Sequence, residues 1–177
     1  MRDQAFVALQ YLLPRHLATA AIWRIARIRH RATKDFLIRQ FVDAFDVDLG
    51  EVRGKVPGDF ATFNDFFIRE LKDGARPIDD DDDAVVAPAD GTVSVAGSIR
   101  GDTIFQAKGL DYTLSDLLAT DLDEAERYVD GSFATIYLAP YNYHRVHAPL
   151  AGELVAARYV PGDLFSVNKS TVSRVNG

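Results

Sequence analysis

The sequence contains no cysteine, a single methionine and a single tryptophan in 177 residues. Without thiols there can be no disulfide framework, no thiolate zinc site and no cysteine nucleophile. No uninterrupted apolar run approaches the ~18 residues of a membrane-spanning helix. Positive charge is scarce overall, with 20 basic residues against 26 acidic ones, and it is unevenly placed. Residues 1–45 hold eight basic residues (Arg2, Arg15, Arg24, Arg27, Arg29, Arg31, Lys34, Arg39) and three acids (Asp3, Asp35, Asp43), a net of +5. Residues 46–177 hold 12 and 23, a net of −11. An acidic body is repelled by nucleic acid, which excludes that partner. A basic, aromatic-bearing N-terminus is instead drawn to an anionic surface, and a membrane fits best. The apolar content of 47% argues against disorder, and the length allows one compact domain with an accessory segment.

The apolar stretch 5–13 followed by Ala18-Thr19-Ala20 has the outline of an export signal. Gln10 interrupts the stretch, Asp3 dilutes its basic start and Arg15-His16 sit just before the cut, so the segment is expected to be retained. Periodicity predicts helices over 3–13, stopped by Pro14, over 17–31 and over 34–45. In the second, Arg24, Arg27 and Arg31 fall within about 60° of one another, and Trp23 lies between the faces, as suits a ring at a membrane interface. In the third, Ile38, Phe41, Val42 and Phe45 follow helical spacing and predict packing on the body or on another helix. Thr62 is expected to cap a helix over 63–71, with Asp65 at the capping-box position and Phe63, Phe66, Phe67 and Leu71 forming a core face. The aspartates 79–83 repel one another and predict an exposed loop, not a metal site.

From residue 84 the pattern turns to β. Segments 84–87, 92–96, 103–106, 132–138 and 154–160 are rich in β-branched and aromatic residues and bounded by Gly, Pro or Asp. One helix interrupts them, with Thr113 as its cap, Asp116 in the capping box and Leu117-Leu118 buried. The predicted fold class is α+β: N-terminal amphipathic helices followed by a mainly antiparallel β-sandwich or barrel-like body. Residues 1–45 would be a membrane-surface helical segment and 46–177 a catalytic α+β body.

Two segments look chemical. Ala87-Pro88-Ala89-Asp90-Gly91 ends in a dipeptide that is above all a hairpin signal. Residues 140–149 hold His144 and His147, two of the four histidines, with Tyr141, Tyr143 and Arg145 between prolines. A regular strand sends His144 and His147 to opposite faces, so they have different tasks or lie on an irregular strand. An Asp and a His brought together make an oriented general base, two members of a nucleophilic triad. The same residues could ligate a metal.

Five blocks then stand together: Thr62-Phe63-Asn64-Asp65-Phe66-Phe67-Ile68-Arg69-Glu70-Leu71; Gly74-Ala75-Arg76-Pro77; Val85-Val86-Ala87-Pro88-Ala89-Asp90-Gly91-Thr92-Val93; residues 137–149; and Pro161-Gly162-Asp163-Leu164-Phe165-Ser166-Val167-Asn168. In order and spacing they resemble bacterial phosphatidylserine decarboxylase across nearly the whole chain. The resemblance implies a proenzyme that cleaves itself at a Gly-Ser bond, leaving a pyruvoyl group on a C-terminal α-chain. That group accepts the electrons released as CO2 leaves phosphatidylserine, giving phosphatidylethanolamine. It further implies His147 as the base that activates the serine, Asp90 as its orienting partner and His144 at the substrate. Trp23, Arg24, Arg27 and Arg31 are expected to touch anionic lipid, at the cytoplasmic face of the cell membrane, and a homodimer is a possible assembly. The family's Leu-Gly-Ser-Thr motif is absent, and Gly97-Ser98 and Gly131-Ser132 stand in other blocks. The chain is therefore expected to be an N-terminal fragment, inactive alone, whose pyruvoyl serine lies elsewhere. Two other classes stand beside this one: a non-catalytic membrane-surface module, and a metal-dependent hydrolase or phosphocarrier of the IIA type. Stoichiometric zinc would favour the hydrolase. Amine product made only when the C-terminal remainder is supplied would favour the decarboxylase.

Overall fold

The computed structural model describes residues 10–11, 14–81, 83–101, 103–106, 110–119, 125–162 and 171. The predicted helix over 3–13 and the end of the fifth block, residues 163–168, fall largely or wholly outside them. The fold is α+β. Its described helices are α1 (Arg15–Ala26), α2 (Arg31–Phe45), α3 (Phe63–Phe67) and α4 (Leu114–Leu118), and its strands are β1 (Thr92–Ser98), β2 (Thr103–Gln106), β3 (Leu110–Thr113) and β4 (Ser132–Tyr137).

The single helix expected over 17–31 is two. Tight bonds from the Arg27 and Ile28 amides to the Arg24 and Ile25 carbonyls close α1 one turn early. Arg31 opens α2 instead, so Arg24, Arg27 and Arg31 do not share one helical face. No residue of α1 is buried, and Leu17, Ile22, Trp23 and Ile25 are exposed. The α2 expectation holds for Ile38, Phe41 and Val42, while Phe45 at its end is exposed. Its Ile38 is fully buried and joins Phe66 and Val47 in a core flanked by Phe41, Val42, Val56, Phe60 and Phe63. Phe41 meets Phe63 edge-on at 5.2 Å, and Phe60 meets Phe66 at 5.5 Å, the geometry aromatic quadrupoles favour. Thr62 caps α3 by accepting from the Asp65 amide, as predicted, but α3 stops at Phe67 and not at Leu71.

The chain divides into two compact units. One comprises Ala21–Thr92 and Ile136–Ala157; the other, among its described residues, draws on Met1–Ala20, Val93–Thr135 and Arg158–Gly177. In the second unit, β2 and β3 pair antiparallel, with Thr103 opposite Thr113 and Gln106 opposite Leu110. Segment 110–113 was not foreseen as a strand. Thr113 caps α4 through the Asp116 amide, yet Leu114 is the buried residue and Leu117 and Leu118 are exposed, reversing that expectation. Leu114 packs with Ile99, Ala125 and Phe133. β1 lies beside β4, so the described strands form two two-stranded pairs and no closed sheet. Segments 84–87 and 154–160 are not strands. For the first the reason is visible: the Val86 amide bonds the Pro149 carbonyl at 3.1 Å and the His147 amide bonds the Pro88 carbonyl at 2.7 Å. The prolines of this antiparallel pairing accept but have no N–H to donate, so the ladder cannot continue.

Candidate active site

That short pairing places Asp90 beside the 141–147 segment within one unit. Gly91 follows at φ +144, and a Cβ there would stand 2.4 Å from the Tyr137 carbonyl oxygen. Only glycine lets the chain pass so close, which fixes the path from Asp90 to the start of β1 at Thr92. The Asp90-Gly91 pair is thus a bend leading into β1, not the turn of a hairpin.

Asp90 is gripped by Arg76, whose Nε donates to one carboxylate oxygen at 2.8 Å and Nη2 to the other at 2.6 Å. Arg76 is itself anchored by Glu51, with Nη1 to Oε2 at 2.9 Å. The Tyr143 backbone amide and the Arg69 charge also act to lower the Asp90 carboxyl. The Arg76 hydrogen bonds, together with these contacts, outweigh burial and hold its carboxyl below the ordinary 3.8. The same pairing raises the Arg76 guanidinium above its ordinary value.

His147 is exposed, and its Nε2 lies 3.0 Å from the Tyr143 hydroxyl, the two rings stacked at 5.6 Å. No hydrogen bond joins Asp90 to His147. Tyr143 is the residue common to both: its backbone amide acts on the Asp90 carboxyl, and its hydroxyl meets His147 Nε2. His144 has different neighbours. Its ring lies 4.2 Å from that of Phe67, and its Nδ1 is 2.9 Å from the Asn142 carbonyl oxygen. The two histidines thus sit on an irregular segment with separate partners, one of the two alternatives left open by their spacing.

A second set of contacts stitches the residues after α3 to this segment. Arg69, only 3% exposed, donates through Nη2 to the Tyr141 and Asn142 carbonyls at 2.9 and 3.2 Å. Arg145 donates back to the Ile68 carbonyl at 2.8 Å and to Glu70 at 3.2 Å. Burial lowers the Arg69 guanidinium below its ordinary value, opposed by the Asp90 charge.

Sequence reasoning singled out Asp90, His144 and His147 and missed Tyr143, Arg76 and Arg69. Tyr143 was visible only as an aromatic inside the histidine segment, and the two arginines only as members of motif blocks. Among the described residues no group of three His, Asp or Glu side chains could hold a metal ion. Trp23 is 56% exposed with the Arg27 guanidinium 4.3 Å above its ring, and Arg24 and Arg31 are exposed. No described helix is long and apolar enough to cross a membrane.

Two imidazoles, a carboxylate kept charged and a fixed tyrosine define a protein whose site is equipped for proton transfer. Comparison with known proteins narrows this. A family model described as phosphatidylserine decarboxylase matches residues 63–177, and another, described as PSD, matches residues 5–46. Proteins named phosphatidylserine decarboxylase proenzyme are 47% identical in Saccharophagus degradans, 45% in Shewanella sediminis and 48% in Bordetella pertussis. These alignments cover 100%, 99% and 98% of this chain, but 62%, 61% and 59% of the relatives. The chain belongs to the phosphatidylserine decarboxylase family.

Proposed function

We propose that residues 1–177 supply the aspartate- and histidine-bearing part of a pyruvoyl-dependent carboxy-lyase that converts phosphatidylserine to phosphatidylethanolamine and CO2. The observation that carries this is the convergence of Asp90, Tyr143, His144 and His147 within one unit of a family member. His147 serves as the base that takes the proton of a processing serine, with Tyr143 fixing its ring. Asp90, kept ionised by Arg76, supplies a fixed negative charge beside the Tyr143 backbone, available to the imidazolium that forms when His147 takes the serine proton. His144 serves the substrate. Its Nδ1 faces a carbonyl, which can only accept, so Nδ1 carries hydrogen and Nε2 is the atom that takes up and returns a proton.

The donor set fits a pyruvoyl group brought by another chain. Neither Gly97-Ser98 nor Gly131-Ser132 belongs to the unit that holds the cluster, while His144 and His147 keep polar atoms at a part-buried surface. When bound, the group supplies an electron sink for the pair released as CO2 leaves. A C-terminal α-chain is then a partner, and a sandwich- or barrel-like completion of the β-rich body belongs to the same proposal. So does membrane contact by residues 1–45: α1 buries nothing and exposes Leu17, Ile22 and Trp23 beside Arg24 and Arg27. That supports peripheral attachment at the cytoplasmic face of the cell membrane.

The test is a chimera joining residues 1–177 to the C-terminal remainder of the Saccharophagus degradans relative. Self-cleavage and phosphatidylethanolamine formation are expected in the chimera and absent from residues 1–177 alone. A folded chimera that neither splits nor makes product would overturn the proposal.

A further inference from the structure

We propose that Arg69 is a positioning residue for His144, fixing through the Asn142 carbonyl which imidazole nitrogen is free for chemistry. This rests on the decarboxylase reading only for its consequence in turnover, not for the placement itself.

The Asn142 carbonyl oxygen lies 2.9 Å from His144 Nδ1 and also accepts from Arg69 Nη2 at 3.2 Å. Arg69 holds the preceding carbonyl, that of Tyr141, at 2.9 Å with the same nitrogen. Asn142 is fixed from its other side as well: its amide donates to the Ala139 carbonyl at 2.9 Å, and its side-chain oxygen accepts from the Ala139 amide at 2.7 Å. The carbonyl therefore cannot swing away, and it imposes the Nδ1–H tautomer on a neutral His144. Phe67, two residues before Arg69, supplies the other half of the grip by lying 4.2 Å from the imidazole.

The cost of this arrangement points to a task beyond tethering. Arg69 is almost fully buried, yet its Nε and Nη1 have no hydrogen-bond partner. A guanidinium buried with unpaired donors is expensive, and an apolar side chain would pack a loop against Phe66 without that penalty. What an apolar side chain cannot do is hold two successive carbonyls. Lysine is an incomplete substitute too, since it keeps a donor but lacks the planar guanidinium that lies 5.4 Å from the Phe66 ring centroid and sets where Nη2 points.

The placement is tested in the 177-residue chain by nitrogen NMR of the imidazoles, which reports the tautomer without any activity. Wild type is expected to hold His144 largely as Nδ1–H. Arg69→Met is expected to give a mixed population, and Arg69→Lys an intermediate one. A wild-type His144 in the Nε2–H form overturns the proposal, as does a folded Arg69→Met that keeps the wild-type ratio. If Arg69→Met does not fold, Arg69→Lys decides, and an unchanged ratio there overturns it. In the chimera, Arg69→Lys is expected to lower kcat roughly tenfold or more, with KM and self-cleavage near wild type. A shifted tautomer with unchanged turnover supports the placement and removes His144 from decarboxylation, so the two failures are distinguishable.

Discussion

Arg53, Arg69, Arg76 and Arg145 each tie together chain segments that are distant in sequence: Glu70 and Asp73, the 141–142 carbonyls, Glu51 with Asp90, and Ile68 with Glu70. Arg24, Arg27, Arg29 and Arg31 are exposed, and the contacts of Arg27 and Arg31 reach no farther than four residues along the chain. Composition counts these residues alike, but their physical roles are opposite. The first group spends its charge within the fold, on carbonyls and carboxylates far away in sequence, although only Arg69 is buried. The second group leaves its charge outward, where the proposed function gives it an anionic membrane surface as partner. The contrast separates arginines that join distant parts of the chain from arginines that leave their charge to solvent.

The largest expected effect lies in the inward group. In the chimera, His147→Ala and Asp90→Asn are both expected to block self-cleavage. The first leaves the serine without its base. The second removes the charge that Arg76 fixes beside Tyr143. Gel mobility reads the result, because the proenzyme either splits or does not, and normal splitting of His147→Ala would break the assignment. Phe66→Ala comes next. It empties the core against which α2 packs, and a buried phenylalanine lost in this way costs about 3–5 kcal/mol. The matched change on α1, Ile22→Ala, is expected to stay within about 0.5 kcal/mol, because Ile22 is exposed. Denaturant melts of the two variants would sharpen the contrast, and equal losses would dissolve it.

The outward group is tested with vesicles. Each basic residue near an anionic surface contributes about 1 kcal/mol, weakened by salt. Arg24, Arg27 and Arg31 changed together to Glu are therefore expected to abolish co-sedimentation with phosphatidylserine vesicles while leaving the melt nearly unchanged. Undiminished binding would mean that these arginines do not serve a membrane.

How far the sequence could be read follows the range of each interaction. Thr62 and Thr113 are caps whose partners, Asp65 and Asp116, lie three residues on, and both were legible. The face of α2 was legible because its period is local, although not what would cover it. The break at 27–30 was not, since Ala-, Ile- and Arg-rich sequence favours helix throughout and no proline or glycine marks the stop. Segments 84–87 and 154–160 have strand composition, but a strand also needs a neighbour able to donate and accept. Pro88 and Pro149 deny that to the first, and the second lies exposed. Of the candidate site, the residue types and their motif blocks could be read, but their pairing could not. Asp90 was expected against His147, yet a guanidinium 14 residues earlier in the chain holds it. Arg69 was the hardest to find, because charge predicts surface and this side chain is buried.

The smallest predicted effect concerns acid stability, and it probes the inward group through one ion pair. Arg76 depresses the Asp90 carboxyl below its ordinary 3.8, so the folded protein binds the proton more weakly there than the unfolded chain does. The stability from Asp90 is therefore fully present above pH ~3.8 and is lost as pH falls through the depressed value. The Asp90 side chain is 22% exposed and that of Arg76 44%, so solvent screens the pair, and its contribution is about 1 kcal/mol. Between about pH 6 and pH 3, wild type is expected to lose about that much more stability than Asp90→Asn, which has no carboxyl to titrate. Arg76→Ala is expected to behave like Asp90→Asn on the acid limb, because without the guanidinium the carboxyl returns toward its ordinary value. Thermal melts at matched ionic strength measure all three. Should Arg76→Ala retain the wild-type acid limb while Asp90→Asn loses it, the carboxyl would be held by the Tyr143 amide and Arg69, and Arg76 would belong with the outward arginines.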